Sequence, residues 1–69
     1  MMYKVTYGEG TWASSDWFTN RKDAEKRYHE IEKVAEWGAL EEVVIKKVFF
    51  KEKIETIVKI DGFNKKKGL

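Results

Sequence analysis

The sequence predicts a small α+β domain with the element order ββαββ, in which one helix packs on a mostly antiparallel sheet. One stretch, residues 20–38, repeats its apolar residues at helical spacing. The stretches before and after it contain many β-branched and aromatic residues, which favour strands. With 69 residues in total, the chain has room for a single thin core.

The first two strands are predicted on either side of a glycine-containing turn. Residues 2–7 alternate tyrosine and valine with lysine and threonine, as expected for a half-buried strand. Residues 8–10, Gly-Glu-Gly, suit a hairpin loop because glycine readily adopts positive φ. Residues 11–19 are predicted to form the second strand, with a bulge or irregularity at residues 14–16, because Ser-Ser-Asp favours turns.

The helix is predicted to begin after an N-cap at Asn20 and to end at Gly38 as a left-handed C′ residue. This gives a length of about 17 residues. The stripe that faces the sheet is narrow and contains small side chains, and it consists of Ala24, Tyr28, Ile31 and Ala35.

Two further strands are predicted at residues 42–50 and 54–60, where β-branched and aromatic residues are dense. The polar residues 51–53 are expected to form the turn between them, and Asp61-Gly62 is expected to end the second strand. A helix is the alternative for residues 54–60, and the strand order is left open. The predicted core consists of Val5, Tyr7, Phe18, Ala24, Tyr28, Ile31, Ala35, Leu40, Val44, Val48, Ile57 and Val58.

Residues 1–63 are predicted to form a single domain and residues 64–69 a flexible basic tail. The chain has 14 basic and 12 acidic residues, and three of the lysines are in the tail. The body is therefore near neutral and produces little long-range electrostatic field that would attract nucleic acid.

Three absences in the sequence narrow the class of protein. The chain has no cysteine, which excludes a disulfide framework. No apolar run approaches the roughly 20 residues that cross a bilayer, so we expect no membrane partner. The first residues lack the layout of a secretory signal, and the expected location is the cytoplasm.

The chain offers little for catalysis. His29 is the only histidine, and Glu25 and Glu32 lie at helical spacing from it, which suggests at most a weak metal or acid–base cluster. An exposed histidine among charged neighbours is the better interpretation. The serines of residues 14–16 lack a nucleophile elbow and a second histidine. We therefore predict no enzyme activity, no metal and no cofactor.

The aromatic residues provide the main functional hypothesis. Ten of the 69 residues are Trp, Tyr or Phe, more than a core under so narrow a helix can enclose. Exposed aromatic residues are typical of interaction hot spots, although small domains also use them to cover the edge of a core. The residues predicted to be at least partly exposed and to bind a partner are Trp12, Trp17, Trp37, Phe50 and Phe63.

The pattern W-F-T-x-x-x-x-A-x-x-x-Y over residues 17–28 resembles short reading frames of bacteria and phages, which implies such an origin and assigns no role to any residue. Our first hypothesis is a protein-binding module of accessory or inhibitor type. It would bind another protein, or itself as a homodimer, through exposed aromatics or a free sheet edge. The alternative is single-stranded nucleic-acid binding by Trp and Tyr stacking with lysine contacts, which the near-neutral body disfavours.

Overall fold

The computed structural model describes residues 2–65 and contains one four-stranded sheet and one helix. The neighbouring strands are all antiparallel, in the order β2-β1-β3-β4. The predicted α+β class and ββαββ order are confirmed. The elements are β1 (Met2–Glu9), β2 (Trp12–Phe18), α1 (Arg21–Glu32), β3 (Trp37–Val48) and β4 (Lys51–Asn64).

A tight turn at Gly10 and Thr11 joins β1 to β2. Gly10 has a φ of 60°, as the first position of a type II′ turn requires, so glycine is in the place where its freedom is needed. The register between the two strands has no shift, and the predicted irregularity at residues 14–16 is wrong. The side chains there bond to other elements instead of their own backbone: Ser15 lies 3.3 Å from the Thr6 hydroxyl, and Asp16 accepts from Arg27 of the helix.

The helix begins where the sequence predicts. The side-chain oxygen of Asn20 accepts hydrogen bonds from the backbone amides of Lys22 at 2.7 Å and Asp23 at 3.4 Å. These amides belong to the first turn, where no carbonyl of the helix can reach them. The predicted N-cap is confirmed.

The helix ends at Glu32, well before Gly38, so its predicted C-terminus is wrong. The amide of Glu36 donates to the carbonyl of Gly8 at 3.0 Å, and β3 begins at the next residue. Gly38 is a buried residue of β3, where a Cβ would lie 2.7 Å from the ring of Phe63. Glycine is therefore needed at residue 38 for close packing and not for positive φ.

The core lies between α1 and the sheet. Tyr7 and Phe18 are half-buried against it, as residues at its edge. Its buried cluster consists entirely of residues that the sequence predicts, namely Val5, Ala24, Tyr28, Ile31, Ala35 and Leu40.

Three predicted core residues are instead exposed over about half of their surface: Val48, Ile57 and Val58. Val48 lies at the end of β3, beyond the part that pairs with β1, and Ile57 and Val58 lie in β4, which the helix contacts less than the other three strands. Val44 is half-buried, whereas its neighbour Val43, which was not predicted, is fully buried.

The last two strands are longer than predicted. The turn between them lies at Phe49-Phe50, so the prediction of a turn at residues 51–53 is wrong. Residues 54–60 form a strand, as favoured over the helix, but β4 continues through Asp61-Gly62, and the predicted turn there is wrong. Asn64 closes the strand, and the Lys65 amide donates to the Glu36 carbonyl at 2.7 Å. The remainder of the predicted tail, residues 66–69, lies outside the described residues.

The β3–β4 hairpin extends beyond the rest of the sheet. The described pairing of β1 with β3 runs as far as Met2 and Val43, so that, within residues 2–65, residues 44–55 pair only with one another. We call residues 44–55 the arm; it contributes to a longest dimension of 44 Å. At its base, Ile57 and Ile60 have no partner in β3 and form two bulges in β4. Within residues 2–65, no helix is long and apolar enough to cross a membrane.

Candidate interaction surface

The tip of the arm is a two-residue turn made of Phe49 and Phe50. Their φ angles are 56° and 78°, so both residues have the left-handed conformation of a type I′ turn. Asparagine, aspartate and glycine are the residues that normally occupy these positions, because a bulky side chain at positive φ is strained. The two phenylalanines are therefore unfavourable for the turn that they form.

Both phenylalanine side chains point into solvent. Phe49 is 89% exposed, and Phe50 is fully exposed. They therefore contribute almost nothing to the core, and burial of their rings against residues 2–65 does not offset the backbone strain. A large apolar pair at the end of a projecting element is available to another molecule.

Behind the tip, the arm carries further exposed aliphatic residues. Ile45 and Ile54 lie directly opposite each other, and they are 44% and 49% exposed. Val48 stands next to the turn and is exposed to a similar degree. The arm therefore offers apolar surface along its length as well as at its tip.

The charged residues of the arm are four lysines and two glutamates. The ammonium of Lys46 lies 3.1 Å from a carboxylate oxygen of Glu55, a diagonal pair across the two strands. Directly opposite Lys46 is Lys53, so two like charges face each other. This arrangement leaves positive charge near the apolar surface.

The predicted aromatic residues of the first hairpin lie on different faces of the sheet. Trp12 is exposed, and its ring meets that of Tyr7 edge to face, with centroids 6.2 Å apart. Trp17 is also exposed, and the ammonium of Lys4 lies 5.6 Å from its ring centroid. Strand alternation places Trp12 on the helix side, with Tyr7, and Trp17 on the opposite side, with Lys4.

The other three predicted residues are also separated from one another. Trp37 is half-buried against Gly8, where a Cβ would approach its ring to 2.4 Å. Phe63 is half-buried, and its ring lies 5.9 Å from that of Tyr28. Phe50 alone of the predicted five is at the tip of the arm. The structure therefore does not bring the five residues together on one surface.

The arm exposes apolar residues that the sequence analysis did not select as partner-binding: Phe49 at the tip, Ile45 and Ile54 on one face, and Val48 on the other. The exposure of these residues depends on the turn at Phe49-Phe50. This turn contains no glycine, asparagine or aspartate, so the usual sequence rules do not predict it. The available indication was a strand with apolar residues on both faces, at residues 43–50, which is unusual unless something covers the second face.

A polar bridge fixes the helix to the far edge of the sheet. Arg27 donates from Nε to Asp16 at 2.8 Å and from a terminal nitrogen to the Tyr7 hydroxyl at 3.4 Å. Its guanidinium also lies 5.6 Å from the Tyr7 ring centroid. The hydrogen bonds to Asp16 and then Tyr7 raise the pKa of Arg27 above its ordinary value. We interpret this cluster as structural, because each group is held by a neighbour within the chain.

A small cleft of about 170 Å³ lies between α1 and β4 and includes Tyr28 and Asp61. Burial, and to a smaller extent the negative charge of Asp61, raise the pKa of the Tyr28 hydroxyl to about 12. A phenol that stays neutral to such a pH is a poor general base at neutral pH. Tyr28 therefore does not provide the cleft with a reactive group.

The histidine cluster suggested by the sequence does not converge on one point. His29 Nδ1 lies 2.7 Å from Glu32, whereas Glu25 accepts from Arg21 at 2.8 Å. The two carboxylates thus have different partners. Over residues 2–65, no group of three His, Asp or Glu side chains could hold a metal ion.

Comparison with known proteins gives no family for this chain. No family model matches the sequence, no curated protein matches it, and no solved structure matches it. The function must therefore be argued from the geometry of the chain itself.

Proposed function

We propose that the protein is a small protein-binding module and that the arm is its binding element. The observation that supports this most is the Phe49-Phe50 turn, in which two exposed aromatic residues occupy positions that disfavour them. Departures from local sequence rules that bring no gain within the fold are typical of functional positions.

The first hairpin of the same chain strengthens the argument. It also has a two-residue turn, but there Gly10 supplies the positive φ without strain. The chain thus uses the favoured residue in one hairpin and two phenylalanines in the other. Aromatic residues recur at interface hot spots because they bury much area with little loss of side-chain entropy.

The charges around the apolar surface define the chemistry of the partner. Four lysines flank the exposed Phe, Ile and Val residues, and only two glutamates accompany them. A complementary surface would combine an apolar contact with carboxylates at its border. We therefore propose a protein partner with acidic residues beside an apolar patch, and we place the interaction in the cytoplasm of a bacterium or of a phage-infected cell.

The proposal is tested by capture from a bacterial lysate with three immobilised forms of the chain. The F49N/F50G variant removes both rings while supplying the residues that a type I′ turn favours. The F49L/F50L variant keeps an apolar tip. We expect the wild type and F49L/F50L to retain the same proteins, identified by mass spectrometry, and F49N/F50G to lose them.

A matched control removes an exposed aromatic residue outside the arm. W17S deletes a ring that contacts Lys4 on the face away from the helix, and its capture should equal that of the wild type. If F49N/F50G retains the same proteins as the wild type, the arm is not the binding element and the proposal fails.

Single-stranded nucleic acid and anionic membranes are the competing ligands, because both accept lysines beside aromatic residues. Anisotropy of a labelled oligonucleotide and co-sedimentation with anionic vesicles, both at low salt, measure them directly. Binding of either one that F49N/F50G abolishes would identify it in place of a protein as the ligand of the arm.

A further inference from the structure

The outer edge of β4 is free and regular only in the arm. Within residues 2–65, no strand pairs with that edge. Nearer the helix, the bulges at Ile57 and Ile60 interrupt β4, and bulges obstruct pairing with a further strand. The stretch that can accept another strand is therefore residues 51–56.

The turn determines which backbone groups of this stretch face outward. In a two-residue hairpin, the residues that flank the turn, here Val48 and Lys51, exchange backbone hydrogen bonds. The direction of the N–H and C=O groups then alternates along the strand. The odd-numbered residues of the stretch therefore bond to β3, and the even-numbered residues face the free edge.

Charge selects one register for antiparallel pairing of this edge with its own copy. When Ile54 faces Ile54 of a second copy, the outward-facing residues oppose one another, as an antiparallel ladder requires. Lys53 then lies opposite Glu55 of the second copy, and two-fold symmetry repeats this pair. Glu52 lies opposite Thr56, which is neutral.

The neighbouring registers are worse. Moving the two-fold axis to residue 53 places Lys53 opposite Lys53, and moving it to residue 55 places Glu55 opposite Glu55. An axis at residue 52 opposes two copies of Glu52, and an axis at residue 56 extends the pairing into the bulge at Ile57. Like charges that face each other across strands are destabilising.

The favoured register also covers apolar surface. Ile45 lies opposite Ile54 within each arm, so pairing through Ile54 forms a row of four isoleucines across four strands. In each chain alone, these residues are nearly half exposed. The same register brings Phe50 of each arm beside the exposed Ile57 and Val58 of the other copy.

The opposite edge of the arm, on β3, is not complementary in charge to its own copy. Residues 44–48 of β3, Val-Ile-Lys-Lys-Val, contain two lysines and no carboxylate. An antiparallel copy would therefore meet positive charge without compensation, which is a common protection of free edges.

We propose that the partner of the arm is a second copy of this chain, paired antiparallel through β4 with the two-fold axis at Ile54. This inference rests on the proposed function, since it names the partner of the same element. The paired stretch, residues 52–56, is about five residues per copy, at the small end of specific interfaces. Association is therefore expected in the micromolar to millimolar range of protein concentration.

A charge-exchange experiment tests the register. K53E and E55K each replace the two attractive pairs by two repulsive ones, and we expect each to weaken dimerisation by about tenfold or more in sedimentation equilibrium. K53E/E55K restores opposite charges and should dimerise like the wild type. An equimolar mixture of K53E and ¹⁵N-labelled E55K should form the mixed dimer, which native mass spectrometry identifies by its mass.

A control separates this pairing from attraction by net charge. K22E carries the same net charge as K53E but lies on the helix, at its N-terminal turn, where a carboxylate is favourable. K22E should dimerise like the wild type. Mixed with E55K, it should form less mixed dimer than K53E does, because one of the two pairs remains repulsive.

The outcomes decide the two proposals separately. A wild type that is monomeric throughout the concentration range would overturn the homodimer, and single variants that dimerise as well as the wild type would overturn the proposed pairing at Ile54. If the wild type is monomeric and its capture of another protein is lost in F49N/F50G, the proposed function stands and only the identity of the partner is wrong.

Discussion

Replacing the two turn phenylalanines should stabilise the protein. In F49N/F50G, each position changes from a bulky residue at positive φ to one that adopts this conformation readily, which relieves roughly 1 kcal/mol per residue. The exposed rings contribute almost no burial that would be lost. The greater conformational freedom of glycine in the unfolded chain lowers the free energy of unfolding by about 0.5–1 kcal/mol. The expected net gain is about 1–1.5 kcal/mol.

Urea unfolding at constant m-value measures this gain as an increase of the midpoint. For a domain of this size, about 1 kcal/mol corresponds to a rise in Tm of about 4–8 °C. Because the arm lies beyond the core, it can open by itself, and amide exchange at Lys51 reports that local opening. F49L/F50L keeps side chains at positive φ and should gain nothing. The reasoning is refuted if F49N/F50G gains neither global stability nor slower exchange in the arm.

Three further predictions concern the body of the protein. N20A removes the helix cap and should lower the free energy of unfolding by about 1 kcal/mol, measured with urea. G8A places a Cβ 2.4 Å from the ring of Trp37 and should cost about 1–3 kcal/mol by the same measurement, and an unchanged midpoint would contradict the packing. The raised pKa of Tyr28, about 12, favours the folded state while the phenol is neutral; this contribution is complete below pH 10 and is lost as the pH rises to 12. Y28F should therefore lose less stability than the wild type between pH 10 and 12, and parallel pH profiles would contradict the assignment.

The parts of the fold that were predicted correctly depend on local rules. The N-cap at Asn20 follows from the chemistry of one side chain and two amides, and the helix stripe follows from spacing. The end of the helix depends instead on the bond between Glu36 and Gly8, which are far apart in sequence. A pattern of nearby residues contains no information about such a bond, so Gly38 was misassigned.

The same distinction explains the core. Val43 and Val58 are equally apolar and both lie in strands, yet the first is fully buried and the second is half exposed. The difference arises because Val43 lies in β3, which has a strand on each side, whereas Val58 lies in the edge strand β4. Burial therefore depends on the strand order, which the sequence pattern leaves open.

The candidate surface was missed for a different reason, since its turn departs from the local rules. Residues 51–53 were the better turn by composition, and Phe49-Phe50 forms the turn despite its composition. The turn at Phe49-Phe50 places Ile45 opposite Ile54. It also directs the backbone groups of Ile54 to the free edge, with Lys53 and Glu55 on either side. A turn at residues 51–53 would have changed this register and turned Ile54 toward the opposite face. The unfavourable turn and the self-complementary edge are thus one feature: the position of the two phenylalanines determines which residues of β4 face a partner.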